Sequence, residues 1–324
     1  MSTPIRLGVL GCADIAGRRT LPAVRTVDGI DLAAVASRDP HKAQAFATRF
    51  GCAAVTGYDT LLARNDIDAV YIPLPAMLHA TWIERALAAG KHVLAEKPLS
   101  ADLATTRRLL DGARSAGRVL AENFMFPHHS QLTRIKELTG RLGPLRSFSS
   151  AFTIPAKPAD DIRYQPDVGG GALLDIGVYP LRAALHFLGP RLDVAAAVLR
   201  VDATRKVILS GSVLLHDPHG VAAQLSFGME HAYRATCEFV GTDGILTAQR
   251  VFTPPPSHRP VLTLTHDGHR EELTLAADDQ AANTLRWFAA AVTGHSTDHG
   301  HSETLHLARL VGQIEEHAIT TYTT

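Results

Sequence analysis

Ile5-Arg6-Leu7-Gly8-Val9-Leu10-Gly11-Cys12-Ala13-Asp14-Ile15-Ala16-Gly17 is the stretch that decides the fold of this 324-residue chain. Ile5–Leu10 reads as a strand, Gly11 as a tight turn, and the residues after it as the start of a helix. The spacing matches the dinucleotide fingerprint at its first glycine, with Ala13 at the second and Ala16 at the permitted third position. A tight turn at Gly11 lets the N–H groups of the following helix N-terminus face a pyrophosphate. Ala13 adds a methyl where the backbone should approach phosphate, so the motif is degraded and its surroundings must carry it. They do. Apolar runs at Leu32–Ala36, Ala69–Ile72, His92–Ala95 and Val119–Ala121 alternate with amphipathic stretches at Pro40–Phe50, Thr60–Arg64, Ala76–Ala89 and Ala101–Ala116. Gly51, Gly90 and Gly117 follow three of these stretches, where left-handed helix caps are expected. Five strands in this rhythm predict a Rossmann-type, doubly wound parallel sheet.

The second strand ends at Ala36-Ser37-Arg38. Enzymes using NAD carry an acid here for the ribose 2′-hydroxyl, whereas a hydroxyl followed by Arg suits a 2′-phosphate. An arginine fork makes charge-assisted bonds to phosphate, and Ser37 brings no opposing carboxylate. The expected cofactor is NADP(H). Ala95-Glu96-Lys97-Pro98 closes another strand on the carboxyl edge, where open α/β sheets bind ligands. Most lysines are solvated surface groups, but one at a strand's carboxyl end, restricted by a following Pro, is a site candidate.

Beyond about residue 123 the texture changes. Helical His129–Leu138 leads to an extended Leu145–Ile154, a Pro-rich loop at 155–166, and the glycine run Gly169-Gly170-Gly171 before a long helix to about Phe187. Strands are then expected at Val207–Leu215, Val221–Phe227, Arg234–Val240, Leu246–Gln249, Val261–Thr265 and Glu272–Leu275, with helices at about Asp279–Val292 and Ser302–Thr320. Turns between the strands point to a large, mostly antiparallel, open-faced sheet in an α+β domain. The expected division is 1–122 for cofactor binding and 123–324 for substrate binding and oligomerisation. Asp175 and Tyr179 lie four apart, which on an α-helix puts them on one face.

Lys+Arg and Asp+Glu each number 32, so no net field draws the chain to nucleic acid or an anionic membrane. No apolar run approaches the ~18 residues of a membrane span. The opening residues lack a secretory apolar core, and three cysteines without a C-x-x-C pair fit a reducing compartment, so a cytoplasmic protein is expected. His295, His299, His301 and His306 match no structural zinc spacing, and no metal is expected. His128 and His129 open a helix, where the dipole favours an anionic ligand.

Taken together, Gly11 to Ala16, Pro75-Ala76-Met77-Leu78-His79, Ala95-Glu96-Lys97-Pro98 and Gly169…Asp175…Tyr179 resemble the Gfo/Idh/MocA oxidoreductase family over essentially the whole chain. Glu122 to His129, Asp161-Ile162-Arg163-Tyr164-Gln165, Asp175 to Pro180 and Phe227 to Tyr233 are similar to its NDP-sugar 3-ketoreductases of deoxysugar biosynthesis, a branch of antibiotic biosynthesis. The resemblance implies Gly11 to Gly17 at the pyrophosphate and Ser37 with Arg38 at the 2′-phosphate. It implies Tyr58, Leu74 and His79 lining the cofactor pocket, and Arg163 and Asp175 approaching the cofactor. Lys97 and Tyr179 are implied to be catalytic, and Tyr233, Thr253 and His128 to meet substrate. Many family members carry His where this chain has Tyr179; the sugar ketoreductases carry Tyr. Similar members associate through the sheet face, which implies a homodimer or homotetramer.

The chemistry points the same way. Ketone reduction needs hydride on carbon and a proton on oxygen, and Lys and Tyr both hold their protons at neutral pH. The expected activity is NADPH-dependent reduction at C3 of a dTDP-linked 3,4-diketo-2,6-dideoxyhexose. The alternatives are a family dehydrogenase acting on an inositol, free sugar or dihydrodiol, or a non-catalytic NADP-binding sensor. The presence of both Lys97 and Tyr179 argues against the sensor.

Overall fold

A parallel sheet with both faces covered buries its strands, so their sequences run apolar instead of alternating. The computed structural model describes residues 3–296 and 300–323 and has such a sheet near its N-terminus. Its strands are β1 (Ile5–Leu10), β2 (Ile30–Ser37), β3 (Ala53–Thr56), β4 (Ala69–Ile72), β5 (His92–Ala95) and β6 (Leu120–Glu122). All are parallel, in the order β3-β2-β1-β4-β5-β6. The order reverses between β1 and β4, so ligands are expected at the carboxyl ends on either side of that point. Every residue of β4 is buried. β3 was not expected: it is a short edge strand, half exposed, with no apolar run to mark it.

Helix ends follow local chemistry. Asp39 accepts from the His41 and Lys42 N–H groups to start the helix Pro40–Phe50, and Asp102 accepts from Thr105 N–H to start Leu103–Ser115.

The chain forms two compact units. The first runs through Met125 and takes in residues from Ala281 to Thr304; the second holds Phe126–Gln280 and the chain from Leu305 onward. The expected division gave everything beyond residue 123 to the second domain. The helix Gln280–Val292 departs from it. Its apolar stripe of Ala281, Ala282, Leu285, Phe288 and Ala291 is buried in one core with Leu7, Val9, Leu21 and Tyr71. Periodicity reveals that a helix has an apolar face, not which core receives it.

In the second unit β7 (Leu145–Thr153), β8 (Asp193–Asp202), β9 (Ile208–His216), β10 (Ala222–Gly228), β11 (Arg234–Gly241), β12 (Gly244–Gln249), β13 (Val261–His266), β14 (His269–Thr274) and β15 (Ile319–Thr323) form one sheet. The order is β14-β13-β12-β11-β7-β10-β9-β8-β15. All pairings are antiparallel except β7 with β10 and β8 with β15. The alternating strands are half-buried: on β9, Leu209, Val213 and Leu215 face the core while Ser212 and Leu214 are exposed. The exposed side carries Val198, Leu214 and Ile319, the last 69% accessible. β8 and β15 were not expected. Ala195, Ala196 and Ala197 dilute the strand signal of β8. At β15 the final helix, expected to reach Thr320, ends at His317 and the β-branched run Ile319–Thr321 pairs with β8. Among the described residues no helix is long and apolar enough to cross a membrane.

Candidate active site

The turn after β1 requires glycine. Gly11 has φ +121°, and a Cβ there would stand 2.9 Å from Leu74 Cδ2. Its N–H donates to Ala36 O at 2.9 Å, tying the turn to the end of β2. The helix that follows is not the plain α-helix of the fingerprint: Ala16–Thr20 is a π-turn, entered through Ile15. Gly17 donates to Ala13 O at 3.2 Å, and Arg49 donates to Gly17 O at 3.0 Å. The N–H groups of the first turn lack partners within the helix and form a ready anion site. Asp14 and Arg18 pair in solvent at 2.5 Å. Burial pushes the Cys12 thiol up to about 11, so it stays protonated beside this turn.

At the end of β2 the Ser37 hydroxyl accepts from Asp39 N–H at 3.1 Å and keeps its own proton to donate. Arg38 is exposed, and no carboxylate pairs with it among the described residues. Tyr58, buried and edge-on to Trp82 at 4.9 Å, has its pKa raised by burial, with the nearby Arg38 charge opposing. A glycine turn, a helix start, a free hydroxyl and an unpaired guanidinium fit a dinucleotide bearing a 2′-phosphate.

Lys97 stands on a braced shelf. It is half-buried just past β5, next to a cis Lys97–Pro98 peptide. Before it, buried Glu96 accepts on one carboxylate oxygen from Tyr71 OH at 2.6 Å and Asn123 Nδ2 at 2.7 Å, and Thr20 OH donates to Tyr71 at 3.1 Å. After it, Leu99 N–H donates to Glu122 Oε1 at 2.9 Å, while Glu122 Oε2 receives Thr304 OH at 2.8 Å. His79 also braces this shelf. It is 1% exposed, with Nδ1 2.8 Å from Pro98 O and Nε2 2.7 Å from Leu74 O. Both partners are acceptors, so a neutral ring satisfies one; protonation would satisfy both, but burial lowers the pKa. His79 was expected to line the cofactor pocket; with both nitrogens facing carbonyls, it holds Leu74 and Pro98 in place. Glu96 was visible only as Lys97's neighbour and Glu122 only as the first residue of a family-like string, and nothing local in the sequence marked Thr304.

In the second unit Gly170 lets the glycine run pass tightly over residues 162–165: a Cβ would meet Gln165 O at 2.6 Å and Ile162 O at 2.7 Å. That loop positions Arg163, which pairs with Asp175 at 2.6 Å and Asp161 at 3.1 Å. Burial opposes the Arg163 charge, but the two carboxylates outweigh it and raise its pKa. Asp175 lies in a π-turn, Leu173–Gly177, instead of the α-helix behind the shared-face expectation. Tyr179 sits among aromatic rings. It opens the helix Val178–Leu188 half-buried, its ring 5.0 Å from Phe152, 5.6 Å from Phe252 and 5.9 Å from Phe126. Tyr233 packs edge-on to Phe152 at 6.4 Å, with its hydroxyl 3.5 Å from Thr253 Oγ1. His128 is half-buried in the short turn Phe126–His128. His129 is 1% exposed and caps Ser130–Thr139 by accepting from Gln131 N–H at 3.1 Å on Nδ1. No group of three metal-ligating side chains occurs among the described residues, and His299 lies outside them.

Comparison with known proteins places this geometry. Residues 5–124 match an oxidoreductase family model with an NAD-binding Rossmann fold, and residues 134–247 match the Gfo/Idh/MocA C-terminal domain. The chain is 57% identical over 291 residues to a dTDP-3,4-didehydro-2,6-dideoxy-alpha-D-glucose 3-reductase of Streptomyces violaceoruber, covering 89% of this chain and 85% of the relative. It is 52% identical over 318 residues to the reductase of the same name from Streptomyces antibioticus, covering 97% of both. A crystal structure of a 3-ketoreductase from Actinomadura kijaniata, in complex with NADP and TDP-benzene, superposes with a TM-score of 0.97 at 50% identity, covering 99% of this chain and 100% of that one. With both units matched and relatives this similar along nearly the full length, the chain belongs to the Gfo/Idh/MocA oxidoreductase family.

Proposed function

We propose that this protein is an NADPH-dependent oxidoreductase that reduces the C3 ketone of a dTDP-linked 3,4-diketo-2,6-dideoxyhexose. The observation that carries the reading is the 52% identity, over 97% of both chains, to a reductase of that substrate class. The site chemistry agrees with it. When bound, the reduced nicotinamide supplies the hydride. N–H groups of the turn between Gly11 and Gly17 would face the pyrophosphate, and Ser37 and Arg38 would hold the 2′-phosphate with Tyr58 beside them. Leu74 borders the turn at Gly11 and His79 braces it from behind, and Arg163 and Asp175 are the further residues assigned to the cofactor.

Hydride addition turns the C3 carbonyl into an alkoxide, which in a closed site needs a donor already in place. Lys97 supplies a positive charge and three donors from its braced shelf. Tyr179 supplies one neutral donor on a ring fixed by three phenylalanines. Tyr233, Thr253 and His128 meet the substrate. The open sheet face, carrying Val198, Leu214 and Ile319, joins copies into a homodimer or homotetramer. The protein acts in the cytoplasm, in deoxysugar assembly for antibiotic biosynthesis.

The test is turnover of NADPH with the dTDP-linked diketosugar, set against free hexoses and inositols. Turnover confined to the nucleotide-linked substrate supports the reading. Equal turnover of a free sugar or inositol would return the protein to the wider range of family dehydrogenases.

A further inference from the structure

The short helix Tyr58–Leu62 follows β3 at the edge of the parallel sheet. Backbone pairing sets where it starts. Ser37 on β2 pairs with Thr56 on β3, and Gly57 N–H donates to Ser37 O at 2.9 Å. Gly57 takes φ +86°, a left-handed turn that glycine makes without strain, and the turn brings Tyr58 alongside Ser37 and Arg38. Burial raises the Tyr58 pKa, and the neighbouring Arg38 guanidinium opposes that rise by charge and hydrogen bonding.

Behind Tyr58 a closed circuit of contacts ties this helix to the helix Ala76–Ala88. Trp82 meets the Tyr58 ring edge-on, with centroids 4.9 Å apart and planes at 88°. The Arg85 guanidinium lies over the Trp82 ring at 4.9 Å, and its Nη1 donates to both Asp59 carboxylate oxygens at 2.9 Å. Asp59 follows Tyr58 in the chain, so the circuit returns to its start. We infer that Trp82, held by Arg85 and Asp59, is a positioning residue for cofactor selectivity: it fixes Tyr58 and, through it, the aim of Arg38 at the 2′-phosphate of NADPH. The inference rests on reading Arg38 as the 2′-phosphate ligand.

Pre-organisation is the physical case for it. Arg38 is exposed, and a long guanidinium side chain loses rotamer freedom when it clamps a phosphate. A hydroxyl on a fixed ring restricts the guanidinium beforehand and lowers that cost. The ring needs an outside support to stay fixed. β3 is a half-exposed edge strand, and a helix of five residues is too short to hold its own orientation. The half-buried Trp82 supplies the support. The Asp59–Arg85 pair is exposed, so it adds little to stability. Its effect is on orientation, because it closes the circuit around Trp82. NADH has no 2′-phosphate and does not sense the aim of Arg38. Loosening the circuit therefore weakens one cofactor and spares the other, whereas a general loss of structure weakens both.

The experiment is calorimetric titration of the full chain with 2′,5′-ADP and with 5′-AMP, which differ only in the 2′-phosphate, alongside kcat/KM for NADPH and NADH. It is run on the unmodified protein, Trp82→Ala, Trp82→Phe, Arg85→Ala, Arg38→Ala and the double variant of Trp82→Ala with Arg38→Ala. Arg114→Ala, which breaks the exposed Asp111–Arg114 pair, is the control. Loss of an edge-to-face contact predicts a roughly two- to tenfold weaker 2′,5′-ADP affinity in Trp82→Ala, with 5′-AMP affinity held. Trp82→Phe should keep most of the native affinity, and Arg85→Ala should show a smaller loss in the same direction. The ratio of NADPH to NADH use should fall in step, and Arg114→Ala should leave both ligands unchanged. In the Arg38→Ala background Trp82→Ala should cost no further selectivity, because its effect passes through Arg38. Equal losses of 2′,5′-ADP and 5′-AMP affinity in Trp82→Ala would make Trp82 a merely structural residue and overturn the inference. So would a selectivity loss of the same size with and without Arg38. An Arg38→Ala protein that keeps the native preference for 2′,5′-ADP would overturn the placement of Arg38 itself, and the inference with it.

Discussion

Tyr71→Phe removes one hydroxyl from a fully buried ring and leaves the rest of the side chain in place. In the native protein that hydroxyl donates to Glu96 at 2.6 Å and accepts from Thr20 at 3.1 Å. A hydrogen bond to a charged acceptor contributes about 1.5–3 kcal/mol, and a buried donor left without its partner costs about 1–3 kcal/mol. Thr20 is 1% exposed, so water does not readily replace the lost oxygen. The variant should be less stable by about 2–4 kcal/mol, a fall in Tm of roughly 5–15 °C for a unit of this size.

A double-mutant cycle isolates the cause. Glu96→Gln removes the charge that Tyr71 and Asn123 jointly solvate, so its effect should differ between the native and Tyr71→Phe backgrounds by about 1–3 kcal/mol. The assay is thermal unfolding of the four proteins, with NADPH affinity and turnover measured alongside. Because Glu96 directly precedes Lys97, turnover should fall more than cofactor affinity. Strictly additive melting temperatures, or a Tyr71→Phe protein as stable as the native one, would refute the claim that a buried carboxylate network supports the lysine.

Arg38→Ala should reduce the preference for NADPH over NADH by roughly ten- to a hundredfold, read from kcat/KM for each cofactor; an unchanged ratio would remove Arg38 from the 2′-phosphate. Lys97→Met should lower single-turnover reduction more than Tyr179→Phe, since it removes a charge as well as a proton, and each should lose at least about tenfold. Full activity in both would mean that the proton comes from elsewhere. Burial lowers the pKa of His79, His92 and His129, so in the unfolded chain these rings take up protons nearer ~6.5 than in the native state. His92 and His129 each use Nδ1 to accept a backbone N–H, which a protonated ring cannot do. Their contribution is therefore complete above about pH 6.5 and is lost as the pH falls, with a slope of up to ~1.4 kcal/mol per pH unit for each group. Thermal melts from pH 8 to 5 check this; a Tm that holds or rises on acidification would contradict it.

The parts of this molecule that rest on local pattern were legible in its sequence. β1 spans Ile5–Leu10 and the capped helix spans Pro40–Phe50, as the apolar run and the cap at Gly51 require. Gly11, Ser37, Arg38 and Lys97 all fall at strand ends or on the residues just beyond them, because the fingerprint and the strand-end lysine are short-range signals. What stayed hidden depends on distant partners. Glu122 and Thr304 are 182 positions apart, and nothing near either residue announces the other. The helix Gln280–Val292 declared its apolar face but not the core that takes it. β15 was absorbed into the preceding helix, because only pairing with β8 decides between the two.

The central claim is hydride delivery to C3 of a nucleotide-linked ketosugar. It is tested most directly by running the reaction with NADPH deuterated at C4 of the nicotinamide and locating the label in the product by NMR. The account predicts one deuterium per turnover at C3, on the carbon of a newly formed hydroxyl, with the C4 ketone intact and the reaction dependent on Lys97. Deuterium at C4, or label in a free sugar that never carried dTDP, would contradict it.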